Sequence, residues 1–242
     1  MKRLSDIIIS SIVLILTSPV LIVFSLLIFL QDFRSPFYVS YRTGKNEKPF
    51  KMIKIRSMVI NADKSGVDST SAGDSRITSL GKIIRKYKID ELAQLFNVLF
   101  GDMSLVGPRP NVKRETDIYT DLEKSILLVQ PGITDISSIV FSDEEEILKY
   151  SKNPDIDYNQ LIRPGKSWLC IYYIQNWSLI LDFKILILTF ISIFNKKLSL
   201  LYLSKVVNNL SAPKFLIEIV ERKKKLVPMK PPGSNDIITS RN

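Results

Sequence analysis

The clearest hydrophobic pattern in the chain is an unbroken apolar run over residues 7–30, without a single charge. At about 1.5 Å per residue, a helix of that length spans the hydrocarbon core of a bilayer. No small-residue cleavage pattern follows it, so the run reads as a retained membrane segment rather than a secretory leader. Ser18-Pro19 lies at its middle, where proline removes a helical hydrogen bond and crowds the preceding turn. Lys2 and Arg3 precede the run, and Arg34, Arg42, Lys45, Lys48, Lys51, Lys54 and Arg56 follow it. A straight crossing would carry one of these cationic flanks to the wrong side. A re-entrant helix-break-helix over residues 1–33, entering and leaving by one leaflet, accommodates both the proline and the charges. The backbone groups freed at the break would then need partners such as the Ser18 hydroxyl. A bitopic helix with a proline kink is the competing reading.

Beyond the run the periods are shorter. Residues 36–41 alternate as a short strand does, and 50–58 (FKMIKIRSM) alternate apolar with basic residues as a strand or the start of a helix. Residues 61–74, rich in Ser, Gly and Asp, read as an exposed loop. A short amphipathic helix is expected over 80–85. Ile89, Leu92, Leu95, Phe96 and Leu99 then recur at helical spacing up to Gly101. Gly107, Pro108 and Pro110 pin the loop that follows. Another helix is expected over 121–129, and Ser142 is placed to cap one over 142–149, with Glu145 at the capping-box position. Leu179–Phe194 is strongly apolar but interrupted by Asp182 and Lys184, which fits a buried or membrane-surface helix better than a span. Residues 196–242 read as a basic, amphipathic or flexible tail.

The expected fold is therefore a mostly helical α/β monotopic membrane protein. It has a membrane segment at 1–33, a small catalytic domain with surface amphipathic helices at 34–195, and a tail from 196. A chain of 242 residues can bury one sizeable core.

Charge narrows the chemistry. The net charge is +10 and there is no histidine, so proton or metal chemistry falls to carboxylates. The positive excess favours anionic partners: phosphates or acidic lipid headgroups. Nucleic acid fits poorly, because the cations cluster near a membrane segment and no recognisable nucleic-acid module is present. The lone Cys170, in an apolar stretch, reads as a core residue and suits a reducing compartment.

The densest chemistry lies in RKYKIDELAQLFNVLFGDMSLVGPRP, residues 85–110. Arg85, Lys86 and Lys88 precede the acid pair Asp90-Glu91, and Arg109 stands between two prolines. If a helix starts near Asp90, then Asp90, Gln94 and Asn97 share one stripe. Asp90 alone is explained as an N-cap, with Glu91 set against the helix dipole. The cations instead suit phosphate binding, and adjacent carboxylates facing phosphates suit Mg²⁺. A carboxylate can also attack phosphorus directly. Arg109 suits bidentate phosphate contact. Lys54 and Arg56 are either a second basic pair for the substrate or the solvated face of a strand.

These motifs resemble the bacterial sugar transferases, the monotopic phosphoglycosyl transferases that act on polyprenyl phosphate. The resemblance is carried by Lys54-Ile-Arg-Ser-Met58, Arg76-Ile-Thr with Gly81 and Arg85, Asp90-Glu-Leu-Ala-Gln94, Asn97-Val-Leu99, residues 101–110, Pro131-Gly-Ile-Thr134, and Tyr173, Asn176, Ser178 and Asp182. It implies that Asp90 attacks the β-phosphate of a UDP-sugar, releases UMP and carries the phosphosugar to undecaprenyl phosphate. Such a step initiates exopolysaccharide, capsule, O-antigen or glycoprotein glycan synthesis. Glu91 would assist and help Asp90 hold Mg²⁺. Lys54, Arg56, Arg85, Gln94, Asn97 and Arg109 would contact substrate, and Ser18-Pro19 would mark the membrane break. The implied location is the bacterial inner membrane, with the catalytic domain on the cytoplasmic face among membrane lipids; a homo-oligomer is left open. Ala93 and Asp135 depart from the usual Pro and Gly, and SDEEEILKY replaces a segment that often contains Gly and Asn. A catalytically inactive scaffold of a polysaccharide assembly complex is the alternative.

Overall fold

The computed structural model describes residues 1–62 and 73–240, so most of the loop expected over 61–74 lies outside the described residues. Helix α1, Lys2–Asp32, runs unbroken through Pro19. The expected break therefore does not interrupt the helix. The carbonyl of Ile15, which loses its partner to proline, accepts the Ser18 hydroxyl at 2.8 Å. Among the described residues α1 is the one helix long and apolar enough to cross a membrane.

Both ends of α1 are tied to the same globular unit. Lys2 pairs with Asp182, whose carboxylate also accepts Tyr173 Oη at 2.6 Å and Trp177 Nε1 at 3.0 Å. Arg3 donates to the carbonyls of Val98 and Leu99. Asp6, buried just before the apolar run, accepts from Ser104 Oγ at 2.8 Å and Leu105 N at 3.1 Å. At the far end, Asp32 receives both terminal nitrogens of Arg56. Between these anchors Leu21 and Ile28 pack against Ile55, Ile84, Ile89 and Ala93, while Ile12, Ile15, Leu16, Ile22 and Val23 face outward.

Strands β1 (Phe37–Thr43) and β2 (Pro49–Ile55) form an antiparallel hairpin, as the alternation suggests, with Lys54 opposite Tyr38. Helix α2, Ser79–Lys86, is capped by Thr78, whose hydroxyl accepts Gly81 N at 2.9 Å. Gly81 is required there: an added Cβ would meet the Ser57 carbonyl at 1.9 Å. A 3₁₀ turn, Ile89–Ala93, leads into α3, Gln94–Phe100, which Gly101 ends at φ 93°. Strand β3 (Ser104–Val106) pairs in parallel with β4 (Gly132–Thr134). Gly132 allows the approach, since a Cβ on it would lie 2.1 Å from Gly107 N. That contact brings the proline-clamped loop beside the Pro131-Gly-Ile-Thr134 motif.

Short helices α4 (Lys113–Thr116) and α5 (Asp121–Lys124) follow β3, and α6 (Ile136–Val140), α7 (Glu144–Ile147) and α8 (Pro154–Asp157) follow β4. Thr120 and Glu123 form a full capping box on α5, a signature the sequence carries as Thr-x-x-Glu. Asp143 occupies the cap position of α7, not Ser142, and makes no side-chain cap bond. Its carboxylate is committed to Lys196 and Arg222 instead.

The main core is built on α9 (Arg163–Gln175) and α10 (Leu179–Phe194). One side of α10 buries Leu181, Ile185 and Leu188; the other exposes Ile180, Phe183, Ile187, Phe190 and Phe194. The stretch read as a tail is folded. Helices α11 (Lys196–Asn209) and α12 (Lys214–Glu221) bury Leu200, Leu203, Val207, Leu216 and Val220 in the same core. Its basic composition concealed a leucine-valine stripe at helical spacing.

Candidate active site

Lys54, Asp90, Glu91 and Arg109 meet from three parts of the chain. The hairpin supplies Lys54, the 3₁₀ turn supplies the two acids, and the β3–β4 contact positions the loop bearing Arg109. Arg109 donates to Glu91 through both terminal nitrogens, at 2.8 and 3.2 Å, and to the Ile133 carbonyl at 3.2 Å. Lys88, in the left-handed region at φ 57°, places its ammonium 3.9 Å from Glu91.

Asp90 is not a cap. The residue preceding the turn is Lys88, and no side chain caps it. The Asp90 side chain is buried, and Oδ1 has no hydrogen-bond partner among the described residues. A buried, unpaired carboxylate oxygen costs a folded protein about 1–3 kcal/mol. No hydrogen bond among the described residues uses that oxygen.

The electrostatics divide the two acids. Burial raises the pKa of Asp90, and Lys54 opposes that rise while Glu91 adds to it. Burial would also raise Glu91, but Arg109, Lys88 and Lys54 outweigh it and hold Glu91 at about 2. Glu91 is accordingly a fixed anion that keeps Arg109 charged and aimed. Asp90 is the more basic oxygen of the pair. Burial, reinforced by Arg109, brings Lys54 down to about 8, against the pull of Asp90 and Glu91.

The remaining expected residues divide by what they already bind. Arg85 is engaged by Glu145 through Nε at 2.9 Å and through a second nitrogen. Arg56 is paired with Asp32 and so fastens the end of α1 to β2. Asn97 is also structural: it accepts Ile53 N at 2.9 Å and donates to the Lys51 carbonyl at 2.7 Å, pinning α3 to β2. Gln94 is fully buried and neither polar atom has a partner among the described residues. The expected stripe of Asp90, Gln94 and Asn97 is broken by the 3₁₀ turn, where residues three apart align and Asp90 stands over Ala93.

Asp135 does not distort its loop. It is the N-cap of α6, taking Ser138 N at 2.6 Å, and it also accepts Ser137 Oγ at 2.9 Å and Cys170 Sγ at 3.0 Å. An aspartate at this position supplies the order that a glycine would have left to other groups.

Two clefts meet at Arg109. Both are shallow, with little enclosed space. One has apolar walls that include Pro108, Pro110, Ile126, Leu127 and Val129. The other is lined by Ser137, Tyr158, Lys166 and Ser167 among others. Sequence reading missed these residues, because they lie 28 to 58 positions beyond Arg109 and only the folding of α6 and α9 onto the loop brings them near.

The family model described as bacterial sugar transferase matches residues 1–196. The chain belongs to the bacterial sugar transferase family. It is similar to a UDP-glucose:undecaprenyl-phosphate glucose-1-phosphate transferase of Klebsiella pneumoniae, 37% identical over 191 residues, or 78% of this chain and 39% of that protein. It is also similar to EpsL of Bacillus subtilis, an uncharacterized sugar transferase, at 36% identity over 78% of this chain and 85% of the relative. An undecaprenyl-phosphate galactose phosphotransferase of Salmonella typhimurium is 35% identical over 78% of this chain and 39% of its own length. The chain thus spans well under half of two of these relatives.

The charge on Lys54 is expected to be lost as pH rises through about 8, well below exposed lysines. Mass-spectrometric profiling of amine acetylation against pH reads this directly, with half-maximal reactivity of Lys54 near pH 8. Asp90→Asn should lower that midpoint further, because it removes an anion that favours the ammonium. A midpoint shared with the surface lysines contradicts the geometry.

Proposed function

We propose that the protein moves a sugar phosphate from a UDP-sugar to a polyprenyl phosphate, with Asp90 carrying the phosphosugar between them. The observation that carries this reading is the buried Asp90 carboxylate, unpaired at Oδ1, beside an acid–arginine pair and a lysine. In the first step an Asp90 oxygen bonds to the β-phosphorus, the bond to the bridging oxygen breaks, and UMP leaves with that electron pair. In the second, a phosphate oxygen of the polyprenyl acceptor attacks the same phosphorus and Asp90 departs as the carboxylate. The activities for which the Klebsiella and Salmonella relatives are named are of this class.

The other residues have separable tasks. Arg109, oriented by Glu91, and Lys54 neutralise the diphosphate. The elevated basicity of Asp90 sharpens it as a nucleophile, and burial keeps water from competing. The donor set suits Mg²⁺, since one carboxylate oxygen is open and this ion is commonly held by one or two carboxylates together with substrate phosphates. Asp90 would hold it with Glu91 adjacent, and the ion would supply further charge neutralisation on the diphosphate. Both Glu91 oxygens face Arg109, so the larger share falls to Asp90.

We read α1 as bent at Pro19 without loss of helical continuity, and as entering and leaving the cytoplasmic leaflet of the inner membrane on one side, with the catalytic domain on the cytoplasmic side. Lys2 and Asp32 are both bonded to the same domain, which suits entry and exit on one face. The exposed apolar side of α10 then rests on the bilayer surface.

Replacing Asp90 by Asn should abolish UMP release from UDP-sugars, by at least about a thousandfold, while the protein stays in the membrane fraction. Wild-type rates in that variant would exclude a covalent intermediate. In sealed vesicles, probes at residues 2 and 34 should label from the same side. Labelling from opposite sides would establish a crossing helix.

A further inference from the structure

The two sides of the β1–β2 hairpin are put to different uses. In an antiparallel pair, residues directly opposite one another point to the same side, and successive residues point to opposite sides. Lys54, Met52 and Phe50 of β2 therefore share one side with Tyr38, Ser40 and Arg42 of β1. That side carries the lysine of the site, and its Met52 and Phe50 join the main core. The other side holds Ile55 and Ile53, which belong to the apolar cluster that includes Leu21, Phe24 and Ile28 of α1. Opposite these two on β1 stand Phe37 and Val39, and Tyr41 follows opposite Lys51. Phe37, Val39 and Tyr41 are exposed by 41%, 51% and 65%. The side of the hairpin that packs with α1 at β2 thus runs on, uncovered, across β1.

The neighbours of this row indicate what covers it. Arg56 N donates to the Pro36 carbonyl at 2.8 Å, and the Arg56 side chain holds Asp32. The Phe37 end of β1 is thereby fixed beside the end of α1, whose Leu26, Phe29, Leu30 and Phe33 are also exposed. The apolar row is continuous with the outward face of the membrane helix. Its surroundings are cationic: residues 33–51 contain five cations and one acid. Arg34, Lys45, Lys48 and Lys51 are exposed among them. The Lys51 ammonium stands 6.0 Å from the Tyr41 ring centroid. Such a pair, with apolar bodies and polar tips, matches the headgroup level of a bilayer, and the cations match anionic lipid. Among the described residues β1 has β2 as its one strand partner. An apolar edge strand left bare invites pairing with other chains, which contact with lipid prevents.

We propose that Phe37, Val39 and Tyr41 form a further membrane contact, seated at the headgroup level of an anionic bilayer beside α1, with Lys51 on the lipid phosphates. This rests on the membrane reading of α1 above. It adds a lipid-facing side to the hairpin whose other side presents Lys54.

The test uses the full chain reconstituted in phosphatidylcholine vesicles, with and without phosphatidylglycerol. Cys170 is buried, so a single introduced cysteine takes an environment-sensitive fluorophore. Val39→Cys probes the row, Ile22→Cys the outward face of α1, and Asp121→Cys a fully exposed position on α5. The label at residue 39 should be quenched more by lipids carrying a nitroxide near the headgroup than by lipids carrying it deep on the chain. The label at residue 22 should show the reverse order, and that at residue 121 no quenching by either. Phosphatidylglycerol should strengthen the quenching at residue 39, and Lys51→Glu should remove that gain. A label at residue 39 as unquenched as that at residue 121, with residue 22 quenched, would overturn the proposal and leave the reading of α1 standing. Copies that cross-link through residue 39, with no quenching there by lipid, would assign the row to a second copy and overturn it equally. An unquenched residue 22 would bring down the membrane reading of α1, and the proposal with it.

Discussion

The Glu91–Arg109 ion pair is the contact on which the site depends. It joins the 3₁₀ turn to the proline-clamped loop, and through the Ile133 carbonyl it reaches β4 as well. Removing either partner would leave a partly buried charge unpaired, which costs more than the pair itself is stabilising. The pair also decides which acid is available. With Glu91 held at about 2 by its cations, the neighbouring carboxylate is left buried, more basic and open at Oδ1. Two adjacent acids of similar chemistry are thereby given different tasks by their partners alone.

The membrane helix is coupled to that arrangement by packing. Leu21 and Ile28 press on Ile89 and Ala93, which flank Asp90 on its turn. Arg3 caps the carbonyl end of α3, and Asp6 holds the start of β3. An element whose outward face suits lipid therefore forms part of the support for Asp90, the proposed nucleophile. On this account a reaction between a soluble nucleotide sugar and a lipid phosphate is set at the bilayer surface by the same contacts that anchor the helix.

Much of the fold was legible where it depends on local pattern. The apolar run, the alternating strands at 36–41 and 50–58, and the heptad-like spacing of α3 all correspond to observed elements. What escaped depends on contacts between distant residues. Arg56 reads as a substrate cation until Asp32 is found against it, and Asn97 as a polar site residue until its amide is found bridging β2. The 3₁₀ turn could not be inferred because its hydrophobic spacing also fits an α-helix, and that ambiguity misaligned the Asp90 stripe. Of the two readings of residues 196–242, amphipathic or flexible, α11 and α12 follow the amphipathic one, while the basic run at 222–225 lies beyond α12. The capping box at Thr120 was visible in the sequence and went unread. The charged residues that gather at the site were legible in the sequence; which partner each of them takes was not.

The most direct test is to quench the enzyme in acid with a UDP-sugar present and no polyprenyl phosphate, then determine its mass. The account predicts a mass increase of one sugar phosphate, localised to the peptide bearing Asp90 and discharged when the lipid acceptor is added before quenching. An unmodified Asp90 peptide in an enzyme that has released a stoichiometric burst of UMP would contradict it.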